Sequence, residues 1–394
     1  MRGTQLTRDK GFVGLLIIMF AGATNDNLVK TAFIVAITAL SWDVFNLNAV
    51  VLANSAALCF ILPFIIFAGF SAHQANTQPP KRWLIFLKTV ELGLALISGL
   101  AIYLEMAWLL LICITGFGIQ SAFIGPLKYA LIPRLANQHE LLNKNAWMES
   151  ATFVAILFGT LVASAWIADS KTQLIALIIA VACIGVVGIF LLPNFDAQSS
   201  ITRRSIKALI SKQRKDERSM SAIWCISGFW GVGSVWLTHL PAMAVDVWQL
   251  SPKSVGTLLS YFVLGITLGA FSGTLLKDID IISRILAGAC IMVLGALILQ
   301  GGHPETAALA LILTSAGGGF LALPLYTLLQ DSQMDVADRI AVNNIVNATM
   351  IVGAAAASLF VVGLLGLQLL FWLLILSIGQ LFLCLYHRRN LRLS

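Results

Sequence analysis

The sequence predicts an all-α integral membrane protein with twelve transmembrane helices in two pseudo-symmetric six-helix halves. Three observations carry this. Apolar residues make up 59% of the 394 and charged residues 11%, with a mean hydropathy of +0.90; that is too little charge to cover a water-facing surface of this size. The apolar runs are about 20 residues long, the length a helix needs to cross hydrocarbon, and lack the alternation of a barrel strand. Polar residues recur at matched offsets in the two halves.

Span 1 covers 12–38. Arg2, Arg8 and Lys10 precede it as they would a secretory signal, but the run passes through Asn25-Asp26-Asn27 without an A-x-A-like site, so it is a retained helix. Span 2 (47–71) ends at a polar stretch that leads to Pro79-Pro80-Lys81-Arg82, and span 3 (83–103) follows. A short break separates it from span 4 (106–127), whose end reads Gly125-Pro126-Leu127-Lys128-Tyr129. Spans 5 (146–168) and 6 (173–192) flank Asp169-Ser170-Lys171, and Pro193 closes the first half. Spans 7 to 12 cover 221–245, 253–276, 281–300, 306–329, 340–363 and 367–386. The expected division is 1–192, a basic cytoplasmic linker at 193–220, and 221–394.

Lysine and arginine orient the chain. With the N-terminus inside, 22 of the 25 basic residues fall in cytoplasmic segments or nearby helix ends; Lys171 and Lys253 lie outside and Lys30 within span 1. Both termini are therefore expected on the cytoplasmic side. The pI near 9.2 reflects this orientation, and no nucleic-acid partner is implied. The run from Arg203 to Arg218 reads as a solvated connector, with anionic headgroups as the alternative contact. Cys59, Cys113, Cys183, Cys225, Cys290 and Cys384 are scattered through apolar runs with no C-x-x-C pair, and read as small buried hydrophobes.

The linker prompts a search for a repeat. Nineteen residues after Pro126 and Pro324 come Asn145 and Asn343; twenty-three residues after them come Glu149 and Asn347. Such a repeat fits two halves related by an axis along the membrane normal, the layout of the major facilitator superfamily, with a substrate site near mid-membrane between the halves.

Intramembrane polar groups are costly and mark pathways or structural pairs. Span 1 carries Asn25, Asp26 and Lys30; the last two are i,i+4, share a face, and are positioned to neutralise each other. Lys88 and Glu91 in span 3, i,i+3, read as a snorkelling or helix-locking pair. Gln120 and Lys128 lie two turns apart in span 4, where Pro126 removes a backbone donor and favours a kink. Asn145 and Glu149 are i,i+4 in span 5; Lys128, on the preceding antiparallel helix, is the expected counter-charge for Glu149. Span 7 has His239, and span 11 has Arg339, Asn343 and Asn347. Gly317-Gly318-Gly319 read as helix-packing residues. No metal, nucleotide or nucleophile motif is present, so neither a cofactor nor enzymatic chemistry is expected.

The segment Gln120-Ser121-Ala122-Phe123-Ile124-Gly125-Pro126-Leu127-Lys128-Tyr129 resembles the helix-4 signature of the lysophospholipid transporter family, a branch of the major facilitator superfamily. Gly22 to Asn27, Asn145 to Leu157, Leu328-Leu329-Gln330 and Arg339 to Asn347 resemble the same family, and together these stretches span nearly the whole chain. The resemblance implies a bacterial inner-membrane transporter that moves lysophospholipid, mainly lysophosphatidylethanolamine, to the inner leaflet, where an acyltransferase restores the second chain. A monomer is expected, with membrane lipid around it and a soluble or peripheral acyltransferase as the possible partner. Two departures stand out. His73 occupies the acidic position four residues after the loop 2–3 glycine, Gly69. The stretch Trp236-Leu237-Thr238-His239 lacks the arginine of stand-alone members, which is closer to the branch fused to acyltransferase/acyl-ACP synthetase enzymes. A proton-coupled exporter of a small molecule and a membrane subunit recruiting an acyltransferase through 193–220 are the alternatives.

Overall fold

The computed structural model describes residues 2–38, 40–44, 47, 49–197, 205–243, 248–249, 254–276, 279–330 and 336–392. Arg203, Arg204, Asp246, Lys253 and Lys277 lie outside them. The helices are α1 (Arg2–Thr38), α2 (Ala49–Ile66), α3 (Ala68–Thr77), α4 (Pro80–Tyr103), α5 (Ala107–Leu135), α6 (Leu141–Asp169), α7 (Lys171–Phe190), α8 (Ile206–Gln213), α9 (Glu217–Ala242), α10 (Ser254–Leu275), α11 (Ile281–Leu299), α12 (Pro304–Gln330), α13 (Val336–Ser358) and α14 (Leu369–Arg392). Among the described residues eleven helices are long and apolar enough to cross a membrane, and α2 with α3 makes a twelfth as one span bent by 56°.

That bend falls within the single run expected at 47–71. Pro63, with no N–H to give its own turn, lies one turn before the break at Phe67, whose φ of −96° and ψ of 0° leave the α-helical well. Pro126 and Pro324 do not end their helices. α5 continues two turns past the expected limit at 127 to Leu135, and α12 runs to Gln330. Each proline removes one backbone bond, which neighbouring helices in a bundle compensate. The connector contains α8, which buries Leu209 and Gln213 while Lys207, Arg214 and Lys215 stay exposed. Asp216 then caps α9 by accepting from the Ser219 amide at 3.0 Å, and Asp280 caps α11 through the Ser283 amide at 3.1 Å.

The described chain forms two compact units. The first holds Met1–Glu140, Val154–Ile206 and Met334–Ala341; the second holds Leu141–Phe153, Lys207–Gln333 and Val342–Ser394. Within the first, α5 packs against α1, α2 and α4, and α7 packs against α1 and α4. Within the second, α12 packs against α9, α10 and α11, and α14 packs against α9 and α11. The pairing scheme is the same in both, which is the structural counterpart of the sequence repeat. The first core is built on Leu28, Phe33, Ile102, Leu110, Ile114 and Phe117 among others. Large apolar side chains such as Phe190, Leu275 and Phe382 are exposed, as a lipid-facing surface requires.

Close contacts explain the glycine run of α12. A Cβ on Gly317 would meet the Gly288 carbonyl and the Met292 amide nitrogen of α11, and one on Gly319 would meet the Ile266 carbonyl of α10. Backbone meets backbone at these points, as is common where membrane helices approach closely.

Candidate functional site

In the first unit the middle of α1 buries four consecutive polar residues, Thr24 to Asn27. Helical spacing turns Asp26 toward α5, where its Oδ2 accepts from the Ser121 hydroxyl at 2.8 Å. Asn27 satisfies itself locally by donating to the Ala23 carbonyl at 2.8 Å. Asp26 Oδ1, both amide atoms of Asn25 and the Thr24 hydroxyl have no protein partner among the described residues. A buried polar atom without a partner costs about 1–3 kcal/mol, and here several sit within three residues. Such a cluster calls for water or a ligand.

Asp26 and Lys30 share a helical face but do not form the expected ion pair among the described residues. The Ser121 hydroxyl takes the carboxylate, and the Lys30 ammonium lies over the Phe60 ring at 4.9 Å. Gln120 donates to Glu91 Oε2 at 2.7 Å, and Glu91 Oε1 is held by Lys88 Nζ at 2.6 Å. Lys88 and Glu91 are wholly buried, so they lock helices and Lys88 does not snorkel. Lys128, two turns beyond Gln120, is buried with its ammonium 4.2 Å from the Tyr129 ring centre. Arg339 is fully buried in this unit, and its neighbour Asp338 accepts from Asn76 Nδ2 at 3.3 Å.

In the second unit Asn145 and Gln330 exchange both amide hydrogen bonds, at 2.8 and 3.0 Å. This reciprocal pair ties the start of α6 to the end of α12. Asn145→Leu is expected to destabilise the protein by about 1–3 kcal/mol, because the Gln330 amide stays buried without its partner. Asn145→Leu with Gln330→Leu should recover most of the loss; thermal unfolding in detergent of both variants measures it, and additive losses would contradict the pairing.

One turn along α6, Glu149 lines a small recess with Ser150, Phe153, Phe229, Gly319 and Leu323. Phe153 stacks on Trp230, whose Nε1 donates to the Tyr326 hydroxyl at 2.7 Å. Asn347 accepts from the Ser227 hydroxyl at 2.6 Å, while both amide atoms of the buried Asn343 have no partner among the described residues. The repeated positions have thus taken different duties: Asn145 is committed to Gln330 while its counterpart Asn343 is not. His239 is half-buried, twelve residues along α9 from Ser227 and so about 18 Å further along the helix axis. It joins none of these groups.

The first unit thus assembles Asp26 and Gln120 around Ser121, with Asn25 buried beside Asp26 on α1, and the second places Glu149, Asn343 and Asn347 along α6 and α13. Ser121, Ser227 and Trp230 were not singled out from sequence. A hydroxyl next to Gln120 was the available signal for Ser121; Trp230 carries none that separates it from core aromatics.

Residues 15–339 match the family model of the Major Facilitator Superfamily. The chain is 27% identical over 386 residues to the lysophospholipid transporter LplT of Escherichia coli O1:K1 / APEC, covering 94% of this chain and 91% of that protein. It is equally similar, over 385 residues, to LplT of Shigella boydii serotype 4. Among solved structures it resembles the E. coli fucose:proton symporter FucP (TM-score 0.76, 14% identity, 97% and 98% of the two chains covered). It also resembles a bacterial homologue of the iron transporter ferroportin (TM-score 0.71, 15% identity, 98% of each chain covered).

Proposed function

Because the chain belongs to the Major Facilitator Superfamily, a family of transporters and not of enzymes, we propose that it moves lysophospholipid across the bacterial cytoplasmic membrane by alternating access. The observation that carries the substrate class is the 27% identity with LplT along 94% of the chain. The polar inventory fits it. A lysophosphatidylethanolamine headgroup has a phosphate anion and an ammonium cation. Lys30 and Lys128 would face the phosphate, and Asp26 and Glu149 the ammonium, in surroundings where such pairs are strong. The amides of Asn25 and Asn343, without a partner among the described residues, suit the glycerol hydroxyl and ester oxygens, with Gln120, Asn145, Arg339 and Asn347 completing the candidate set; His239 stands apart from it. The single acyl chain needs only apolar side chains or lipid.

The same reading places both termini and the connector 193–220, which joins halves 1–192 and 221–394, in the cytoplasm. The protein acts as a monomer, and an acyltransferase receives the lipid on the inner leaflet. The test is uptake of labelled lysophosphatidylethanolamine by spheroplasts lacking their own lysophospholipid transporter, with and without this protein. Uptake above background is expected. None from a well-expressed protein would discard the substrate and put a proton-coupled exporter in its place.

A further inference from the structure

The buried Lys88–Glu91 pair on α4 has no place in the reading above, yet two neighbouring helices, α1 and α7, make room for it. Lys88 Nζ lies 3.4 Å from the Ile18 carbonyl of α1. A Cβ on Gly22 of α1 would lie 3.6 Å from Glu91 Oε2, and one on Gly185 of α7 would run into the Lys88 side chain. Two formal charges out of water are costly, and an apolar pair of the same volume is often as stable. Stability alone is therefore a poor reason for the pair.

Its connections give a better one. Glu91, ionised opposite Lys88, can only accept hydrogen bonds. Gln120 must therefore turn its NH2 toward Glu91 Oε2, at 2.7 Å. That leaves Gln120 Oε1 facing the Ser121 hydroxyl at 3.4 Å. Ser121 has one proton and two acceptors within reach, and the nearer, Asp26 Oδ2 at 2.8 Å, takes it. With Oδ2 held this way, Oδ1 is the carboxylate atom left without a protein partner.

We propose that Glu91, held by Lys88, is a positioning residue: it fixes the polarity of the Gln120 amide so that Oε1, a second acceptor, faces the Ser121 hydroxyl, and so limits how tightly Ser121 holds the Asp26 carboxylate whose Oδ1 meets the substrate. The last step rests on the proposed contact between Asp26 and the headgroup; the steps before it do not. A glutamine at 91 can donate as well as accept, so the Gln120 amide loses its imposed direction; its NH2 can then donate to Ser121 Oγ, which leaves Asp26 the sole acceptor for the Ser121 proton and weakens the hold of the carboxylate on an ammonium.

The test uses the purified full-length protein and two variants, Glu91→Gln and the charge-balanced Lys88→Met/Glu91→Gln. The second guards against misfolding from an unpaired buried lysine. The Asp26 carboxylate stretch, assigned in the infrared spectrum by its loss in Asp26→Asn, is expected to shift in whichever variants fold. In transport assays KM for lysophosphatidylethanolamine should rise about tenfold with the maximal rate retained, the equivalent of one weakened charge-assisted hydrogen bond. In an Asp26→Asn background the charge-balanced variant should change nothing further. A carboxylate band that stays in place in both variants overturns the proposal, as does a loss that adds to that of Asp26→Asn. A shifted band in a protein that moves no lysophospholipid keeps the positioning role and discards the substrate.

Discussion

Asp26→Asn is expected to lower lysophosphatidylethanolamine uptake by two to three orders of magnitude while leaving the amount of folded protein unchanged. Asparagine has the same shape, and its carbonyl oxygen can still accept from Ser121, so the packing of α1 on α5 survives. What disappears is the negative charge on the atom that has no protein partner. An ammonium brought into that low-dielectric position then has no counter-charge. Removing one member of a buried charge pair costs about 3–5 kcal/mol, which is about 150- to 4,000-fold in affinity; some of this is recovered by water. Initial uptake rates at matched abundance are the measurement. A rate within threefold of the unaltered protein would remove Asp26 from the transport site.

Gly317→Val should leave almost no folded protein. The added Cβ falls on the Gly288 carbonyl and lies 2.6 Å from the Met292 amide nitrogen. Neither is the movable end of a flexible side chain, so α11 and α12 must separate. Overpacking costs about 1–3 kcal/mol where side chains can adjust, and backbone contact puts this site at or beyond the upper end. Gly288 faces the same seam, because a Cβ there would meet the Gly317 carbonyl at 2.6 Å. Gly93 of α4 is the control, since a Cβ there meets nothing within 4 Å. Its alanine variant should express normally, and a helix-interior Gly→Ala change is mildly favourable. The yield of monodisperse protein in detergent separates the two cases; equal yields would contradict the close α11–α12 contact.

The positions of the spans were legible because each is decided locally. About twenty apolar residues must be helical in hydrocarbon whatever their neighbours, since every backbone donor and acceptor has to be satisfied within the segment. The limits drifted where polar ends continue a helix: α1 begins in the charged stretch Arg2 to Lys10, and α5 runs on past Pro126. Polar residues at transmembrane depth were equally visible, because cost in lipid is a property of the residue type.

Partnership was visible within one helix, as for Lys88 and Glu91 at i,i+3, but not between helices. Asp26 and Lys30 have the spacing of an ion pair and do not make one, because α5 and α2 present Ser121 and Phe60 to them first. Asn145 and Asn343 occupy matched places in the repeat, but only the end of α12 supplies a second amide, Gln330, to the former.

The sequence by itself determined an all-helical chain of the membrane, its spans, its repeat and the residues that carry charge inside it. Tertiary structure alone decided which of those residues face one another across helices. The rotation of each helix about its axis is set by packing against several others at once, and no local stretch encodes it. The chain of contacts from Lys88 through Glu91, Gln120 and Ser121 to Asp26 draws on three helices, and exists only when all three are in register.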